Sequence, residues 1–279
     1  MIDTLLQAAG TVSYDPDQTT GPKPAISMPS LAMATDVLVS GASAGSHGAA
    51  YHADGIGDTL RAANPALANY RVVLDTGPGP WLATKPFAGA CAAQTLVNPG
   101  FVCTTNDYTG YFKEYQDQIV RGFYGARDDL EASCWTQHSA TGDDWLCTDE
   151  IPVILNHLQT PFFTRKDLQD PLTTPTSVAN GFGTQLDYGL EVSGQMLAFS
   201  SGAWAPEEPV TYVPGYFGPQ CAWHEGIDVD RPFFRQKSMA GAVPRRFVQV
   251  LGNWILGVAP TQAVIPFAAV GALGPAMCP

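Results

Sequence analysis

Two strand patterns flank a helix pattern between Asp36 and Asp75, and this alternation constrains the fold most strongly. Asp36–Ser40 is a short run of mainly β-branched residues bounded by polar ones, which predicts a fully buried parallel strand. Small residues predominate from 44 to 50 and predict a helix packed closely on a sheet. Tyr70–Asp75 predicts the next strand. Since parallel strands need a crossover helix, the sequence predicts an α/β fold with a parallel sheet flanked by helices.

The rest of the chain carries weaker signals. Gly55 and Gly57 are expected to end the first crossover helix. The other predicted elements are a short helix stopping at Gly10, a loop over 14–29, a helix over 151–158, a strand over 161–165 and helices over 186–197 and 247–256. Residues 81–149, which hold four of the cysteines, predict a helical excursion over the sheet.

The length of the chain limits the number of domains, and its net charge limits the kinds of partner. With 279 residues the chain is long enough for one large core and short for two, so we expect one domain over 1–279. Lys and Arg total 14 against 26 Asp and Glu, and this acidic balance repels phosphate backbones and anionic lipid headgroups. We therefore expect no nucleic-acid partner, and no metal or cofactor is implied.

Six cysteines form an even set without a CxxC pair. Disulfides in an oxidising compartment are the favoured interpretation, and six reduced core thiols in a cytosolic protein are the alternative. Local pairing predicts three bonds, Cys91–Cys103, Cys134–Cys147 and Cys221–Cys278. The disulfides indicate a secreted protein.

Neither end of the sequence predicts a membrane anchor. The residues after Met1 have no basic region and no cleavage site, so a signal peptide, if the protein is exported, would lie upstream. The apolar run Trp254–Met277 approaches the length of a membrane span, but three prolines and a polar Thr-Gln pair interrupt it. We expect a helix end and a buried tail there, and no membrane span.

The pentapeptide Gly41-Ala42-Ser43-Ala44-Gly45 matches G-x-S-x-G between the predicted strand and helix. This is the pattern of a nucleophile elbow, in which small neighbours are expected because side chains at the flanking glycines would clash. The N–H of Ala44 at the helix N-terminus is the candidate oxyanion donor. An ordinary turn from strand to helix is the alternative.

A serine nucleophile needs a histidine base and a carboxylate that orients it. His224 fits the chain order of the α/β-hydrolase fold, serine then acid then histidine. The other histidines do not: His47 and His52 lie on the helix after Ser43, and His138 and His157 precede the candidate acids. Asp167 and Asp170 follow the strand over 161–165, and either can be the acid, the other being a loop cap. Asp75 is a third candidate, with a structural role more typical of its position.

Three segments together resemble the pectin acetylesterase and Notum family of carboxylesterases. They are the nucleophile segment Val37–Gly45 with His52-Ala53-Asp54, the acid segment Thr160–Asp170, and the histidine segment Cys221-Ala222-Trp223-His224-Glu225. The resemblance covers the chain from about Ala34 to Leu256. It implies an α/β-hydrolase-like fold, a secreted protein with disulfides, and Ser43, Asp170 and His224 as the catalytic triad, with Asp170 preferred to Asp167.

The resemblance also implies the substrate, an O-acetyl group on a polysaccharide. An esterase for longer acyl chains or polyesters is one alternative, and a catalytically impaired binding or structural fragment is another. Five aromatic residues can stack on sugars, line an acyl pocket or simply pack: Trp81, Tyr108, Tyr111, Phe112 and Trp135. Members of the family carry a glycine-rich oxyanion loop before the nucleophile, and none is found before Val37, so we expect the N-terminal strands of the family to be missing.

Overall fold

The computed structural model describes residues 6, 10–13, 25–28, 30–77, 110, 113–114, 118, 131–179, 183–198, 210–227 and 234–265. The strands are β1 (Gly10–Ser13), β2 (Ala25–Met28), β3 (Asp36–Ala42), β4 (Asn69–Asp75), β5 (Phe162–Arg165), β6 (Gly215–Gly218), β7 (Lys237–Ala240), β8 (Val243–Arg246) and β9 (Gln262–Val264). The helices are α1 (Ala44–Ala63), α2 (Ala132–His138), α3 (Glu150–Pro152), α4 (Thr173–Ala179), α5 (Gln185–Ala198) and α6 (Phe247–Leu256). Leu31–Met33 and Asp144–Thr148 are 3₁₀ turns, and Val153–His157 continues α3 as a π turn.

The central sheet has five strands in the order β3-β4-β5-β6-β9, and every neighbouring pair is parallel. The register runs from Asp36 opposite Asn69 to Ala42 opposite Asp75, and Asp75 in turn lies opposite Arg165. The predicted α/β fold is therefore confirmed. Because the strands are parallel, their carboxyl ends share one edge, and the loops that carry function in such sheets start there.

Helices cover both faces of this sheet. Successive residues of a strand point to opposite faces, and β4 divides its side chains accordingly. Val72 and Leu74 pack with the small residues of α1, whereas Val73 packs with Phe247 and Trp254 of α6. Each such side chain, fully buried, contributes roughly 1.5–3 kcal/mol, and the two clusters hold the sheet between its helical layers.

The prediction that Gly55 and Gly57 end the first helix is wrong, because α1 continues to Ala63. A Cβ at Gly57 would lie 2.7 Å from the ring of Tyr70, so this glycine lets the helix approach the sheet closely. Ala53 and Leu60 continue the same buried stripe. Packing of that stripe outweighs the weak helix propensity of glycine, which is about 1 kcal/mol.

Two predictions about the N-terminal third are corrected. β3 forms where a strand was expected, but its residues alternate between exposed and half-buried, and Leu38 is 43% exposed. In the described part of the chain, β3 is an edge strand of the sheet and pairs with one neighbouring strand, β4. The loop predicted over 14–29 contains β2, which pairs antiparallel with β1, a strand that the sequence did not predict. The register places Gly10 opposite Met28 and Ser13 opposite Ala25.

Several strands gave no recognisable signal in the sequence. β6 is fully buried although two of its four residues are glycines. A Cβ at Gly215 would lie 2.3 Å from the Phe163 side chain, so the strand fits only because that residue has none. A buried tail was expected after α6; its described part is buried at Ala263, Val264 and Ile265 and contains the unpredicted strand β9. β7 and β8 form a hairpin before α6. Among the described residues, no helix has both the length and the apolar character needed to span a bilayer.

The disulfide between Cys134 and Cys147 was predicted and is confirmed. It joins α2 to the following 3₁₀ turn, and both cysteines pack against Trp135 and Val153. Cys221 is also disulfide-bonded. Its predicted partner Cys278, the predicted Cys91–Cys103 pair and most of the excursion before 131 lie outside the described residues.

Candidate active site

Ser43 occupies the turn between β3 and α1 with φ 53° and ψ −123°. A residue other than glycine rarely adopts this conformation, which costs of order 1–3 kcal/mol and is typical of functional turns. Gly41 makes the turn possible, since a Cβ there would lie 2.0 Å from the carbonyl oxygen of Gly45. Gly45 itself was expected to need the absence of a side chain, but a Cβ there meets no described atom within 4 Å. With respect to the described residues, the first glycine of the motif is therefore sterically required and the second is not.

The turn presents Ser43 at the carboxyl edge of the sheet. Its backbone N–H donates to the carbonyl of Asp75 at 3.1 Å, which ties the turn to the end of β4. Ala44 is the first residue of the 20-residue helix α1, where backbone N–H groups have no acceptor four residues earlier. The positive end of the helix dipole lies at the same place.

The structure brings together the three side chains that sequence reasoning named as a triad. Ser43 Oγ lies 2.6 Å from His224 Nε2, and His224 Nδ1 lies 3.0 Å from each carboxylate oxygen of Asp170. When Nδ1–H donates to Asp170, Nε2 is left as an acceptor for the serine hydroxyl. His224 is 18% exposed and Asp170 is fully buried, so the imidazole connects a buried carboxylate to an accessible hydroxyl.

Asp170 is held by donors from its own loop as well as by His224. Its Oδ1 accepts the backbone N–H groups of Leu172 at 2.8 Å and Thr173 at 3.1 Å, and Lys166 Nζ lies 3.1 Å from Oδ2. Burial raises the pKa of the Asp170 carboxyl, but Lys166 and these backbone donors outweigh burial and bring the pKa below the usual aspartate value. The carboxylate is therefore ionised and fixed in place.

The other two candidate acids hold the loops around the site. Asp167 was expected to be a loop cap if it was not the acid, but its side chain pairs with Arg165 and accepts from Gln236 in the interior. Asp75 receives Arg165 at 2.7 Å and accepts two backbone N–H groups of the loop after His224, from Gly226 and Ile227, both at 2.7 Å. Within the described part of the chain, the His224 imidazole hydrogen-bonds Asp170 and neither of these two carboxylates.

Thr76 lies beside the site and was not named as a site residue by sequence reasoning. It has φ 60°, its hydroxyl donates to the backbone carbonyl of His224, and its N–H donates to the carbonyl of Arg165 at 2.8 Å. The Thr-Gly-Pro-Gly-Pro sequence that follows β4 indicated only a turn. Thr76 thus links the ends of β4 and β5 to the histidine loop.

The remaining histidines lie away from the serine hydroxyl. His47 pairs with Glu150 at 2.8 Å, and the pKa of His47 is raised mainly by that carboxylate, against the opposing effect of burial. His52 is exposed on α1. His157 is buried, with Nδ1 3.0 Å from Ser133 Oγ, and its ring meets His138 edge-on at 5.5 Å.

One group of possible metal ligands occurs among the described residues, formed by Cys134, His138 and His157. The sulfur of Cys134 is bonded to Cys147, so the thiolate that binds metals is absent. Of the aromatic residues considered for sugar stacking, Trp135 is buried against the disulfide and packs there. The other four lie outside the described residues.

No family model matches the sequence, and no curated protein matches it significantly. Among solved structures, the chain is similar to the Wnt deacylase Notum from Drosophila, with a TM-score of 0.49 and 18% sequence identity. The match covers 80% of this chain and 52% of the Notum chain, so this chain spans about half the length of the solved protein.

Proposed function

We propose that this chain hydrolyses carboxylic esters through an acyl-enzyme formed on Ser43. The observation that carries the proposal is the continuous hydrogen-bonded path from Ser43 Oγ to His224 Nε2, at 2.6 Å, and from His224 Nδ1 to Asp170, at 3.0 Å. A serine hydroxyl, an imidazole and a carboxylate in this order and at these distances are the groups that acyl transfer requires.

In the proposed reaction His224 takes the proton of Ser43 as the hydroxyl oxygen attacks the ester carbonyl. Asp170 keeps the proton on Nδ1 and stabilises the imidazolium. The alcohol leaves with the proton from Nε2, and water then enters by the same route to release the carboxylic acid and restore the serine. The Ala44 N–H at the start of α1 donates a hydrogen bond to the oxyanion. Loss of one oxyanion donor typically costs about 3–4 kcal/mol of transition-state stabilisation.

The substrate we propose is an O-acetyl group on a polysaccharide. The support is the resemblance of three ordered segments, ending in Cys221-Ala222-Trp223-His224-Glu225, to the pectin acetylesterase and Notum family. Export from the cell is part of the same proposal, and the disulfide between Cys134 and Cys147 supports it, because disulfides persist in oxidising compartments.

The primary test uses p-nitrophenyl acetate. Ser43→Ala should lower kcat/KM by at least about 10³-fold with an unchanged fold, since the hydroxyl that forms the acyl-enzyme is gone. Ser40→Ala is the matched control, because Ser40 is an exposed serine on the adjoining strand β3 and should keep full turnover. Equal turnover by the Ser43→Ala variant and the unmodified chain would contradict the proposal.

Two further measurements separate the alternatives. A fluorophosphonate probe should label Ser43 in the purified chain and fail to label the Ser43→Ala variant; absence of labelling in both would favour a non-catalytic binding or structural role. Comparison of acetyl, butyryl and octanoyl esters of p-nitrophenol tests the acyl group. A kcat/KM that falls with chain length supports an acetylesterase, and one that rises supports the longer-chain or polyester alternative.

A further inference from the structure

Lys166 contacts the candidate triad acid from inside the protein. Its side chain is 1% exposed, and Nζ lies 3.1 Å from Asp170 Oδ2. Nζ also donates to the carbonyl of Thr76 at 3.3 Å, and the Tyr188 hydroxyl hydrogen-bonds the same side chain. An ammonium group has three N–H donors, and three oxygen acceptors surround this one.

These acceptors come from three separate parts of the fold. Thr76 follows β4, Asp170 follows β5, and Tyr188 lies on α5. Burying an ammonium is costly unless it is paired and fully hydrogen-bonded, and here both conditions are met. The cation is therefore held in a fixed position next to the carboxylate that orients His224.

We infer that Lys166 is a positioning residue of the proposed esterase, which fixes the Asp170 carboxylate and offsets part of its charge, so that this carboxylate stabilises the His224 imidazolium less strongly. A bare carboxylate next to an imidazole stabilises the imidazolium, and a second cation paired with that carboxylate reduces the stabilisation. The inference rests on the proposed function, since it concerns the base of that reaction.

Among the described residues, the other charged and titratable groups near Asp170 and Lys166 have different direct partners or are neutral. Arg165 interacts with Asp170 electrostatically, but its guanidinium pairs directly with Asp75 and Asp167. Burial raises the pKa of Tyr188, so this side chain is neutral throughout the working range. The charge of Lys166 also acts on His47 of α1 and opposes the rise in the pKa of His47, although the direct partner of His47 is Glu150.

The test compares Lys166→Met with Lys166→Arg in the full chain, by the pH dependence of kcat/KM for p-nitrophenyl acetate. Methionine removes the charge and keeps a similar side-chain length, so the acid limb of the profile should shift to higher pH by about one unit. Arginine keeps the charge and should leave the limb in place. Tyr188→Phe serves as a second control, because it removes one acceptor of Lys166 and keeps the cation. Circular dichroism and thermal melting establish that each variant is folded.

A structural role alone would lower stability or kcat without moving the limb, and an unmoved limb in folded Lys166→Met would overturn the inference. Its failure is distinguishable from failure of the proposed function. If the unmodified chain hydrolyses no ester, NMR can still follow the pH midpoint at which the His224 imidazole loses its proton. That midpoint should be higher in Lys166→Met than in the unmodified chain, and equal midpoints would refute the inference without any activity measurement.

Discussion

The carboxylate of Asp75, the last residue of β4, accepts a hydrogen bond of 2.7 Å from the backbone N–H of Gly226, two residues after His224. The same oxygen accepts the N–H of Ile227 at 2.7 Å, and the other oxygen pairs with Arg165. A buried carboxylate at the sheet edge thus anchors the loop that carries the imidazole. Because the loop itself has no regular secondary structure, this anchor acts together with Thr76 and Asp170 to position His224.

Asp75→Asn should therefore impair catalysis although it replaces no member of the triad. The asparagine amide is uncharged and has a single acceptor oxygen. That oxygen cannot replace both the ion pair with Arg165 and the two hydrogen bonds accepted from backbone N–H groups, so we expect the loop and the imidazole to shift. We expect kcat to fall roughly 10–100-fold with little change in KM, and stability to fall by about 3 kcal/mol because Arg165 loses a buried partner. Steady-state kinetics and urea unfolding measure both effects. Asp58→Asn is the control, since the Asp58 side chain is 81% exposed; a kcat for Asp75→Asn equal to that of this control would exclude the anchoring role.

The two glycines of the G-x-S-x-G motif should respond differently to alanine. In Gly41→Ala the new Cβ would lie 2.0 Å from the Gly45 oxygen and 2.8 Å from the Ser46 nitrogen, so backbone must move, and we expect a loss of at least about 3 kcal/mol. Gly45→Ala adds a Cβ on the open side of α1 and should raise stability by up to about 1 kcal/mol. Thermal unfolding of the pair tests the prediction, which equal melting temperatures would contradict.

The sequence predicted those parts of the fold whose signals are local. β3, α1 and β4 follow from a β-branched run, a stretch of small residues and a second apolar run, and the sheet order then places Ser43 beside the end of β4. Ser43 and His224 could be named because each follows a strand or lies in a loop, in an order that the fold permits. Position alone left Asp167 and Asp170 as alternatives, and only the resemblance to the esterase family favoured Asp170.

The parts that escaped prediction depend on contacts between distant segments. β6 is a strand because β5 and β9 pair with it on either side, whereas its own Gly-Tyr-Phe-Gly sequence has little strand character. Lys166 and Asp170 have the i, i+4 spacing of a helical ion pair, but they meet in a loop, so the spacing gave no reason to expect the contact. Thr76 and Asp75 reach the histidine loop across about 150 residues of sequence, which no local pattern records.

Removal of the Cys134–Cys147 disulfide should lower stability and leave the triad distances intact. The bond closes a loop with a sequence separation of 13 residues and packs in a cluster with Trp135 and Val153. For a loop of this length the double variant Cys134→Ala/Cys147→Ala should lose about 3 kcal/mol. Urea unfolding measures the loss, and esterase activity measured well below the unfolding transition should persist. A double variant as stable as the unmodified chain would show that the bond adds no constraint.

The ion pair between His47 and Glu150 should make stability fall as the pH rises above about 6.5. The folded-state pKa of His47 is raised above 6.5 by Glu150, so the protonated form is favoured by folding. Its stabilising contribution is fully present below about pH 6.5 and is lost as the pH rises through the folded-state pKa. His47→Gln removes the titrating group, so the unmodified chain should lose more stability between pH 6 and pH 9 than this variant does. Urea midpoints at both pH values measure the difference, which should be small because the imidazole is half exposed. Equal losses of stability in the two proteins would contradict a stabilising ion pair between His47 and Glu150.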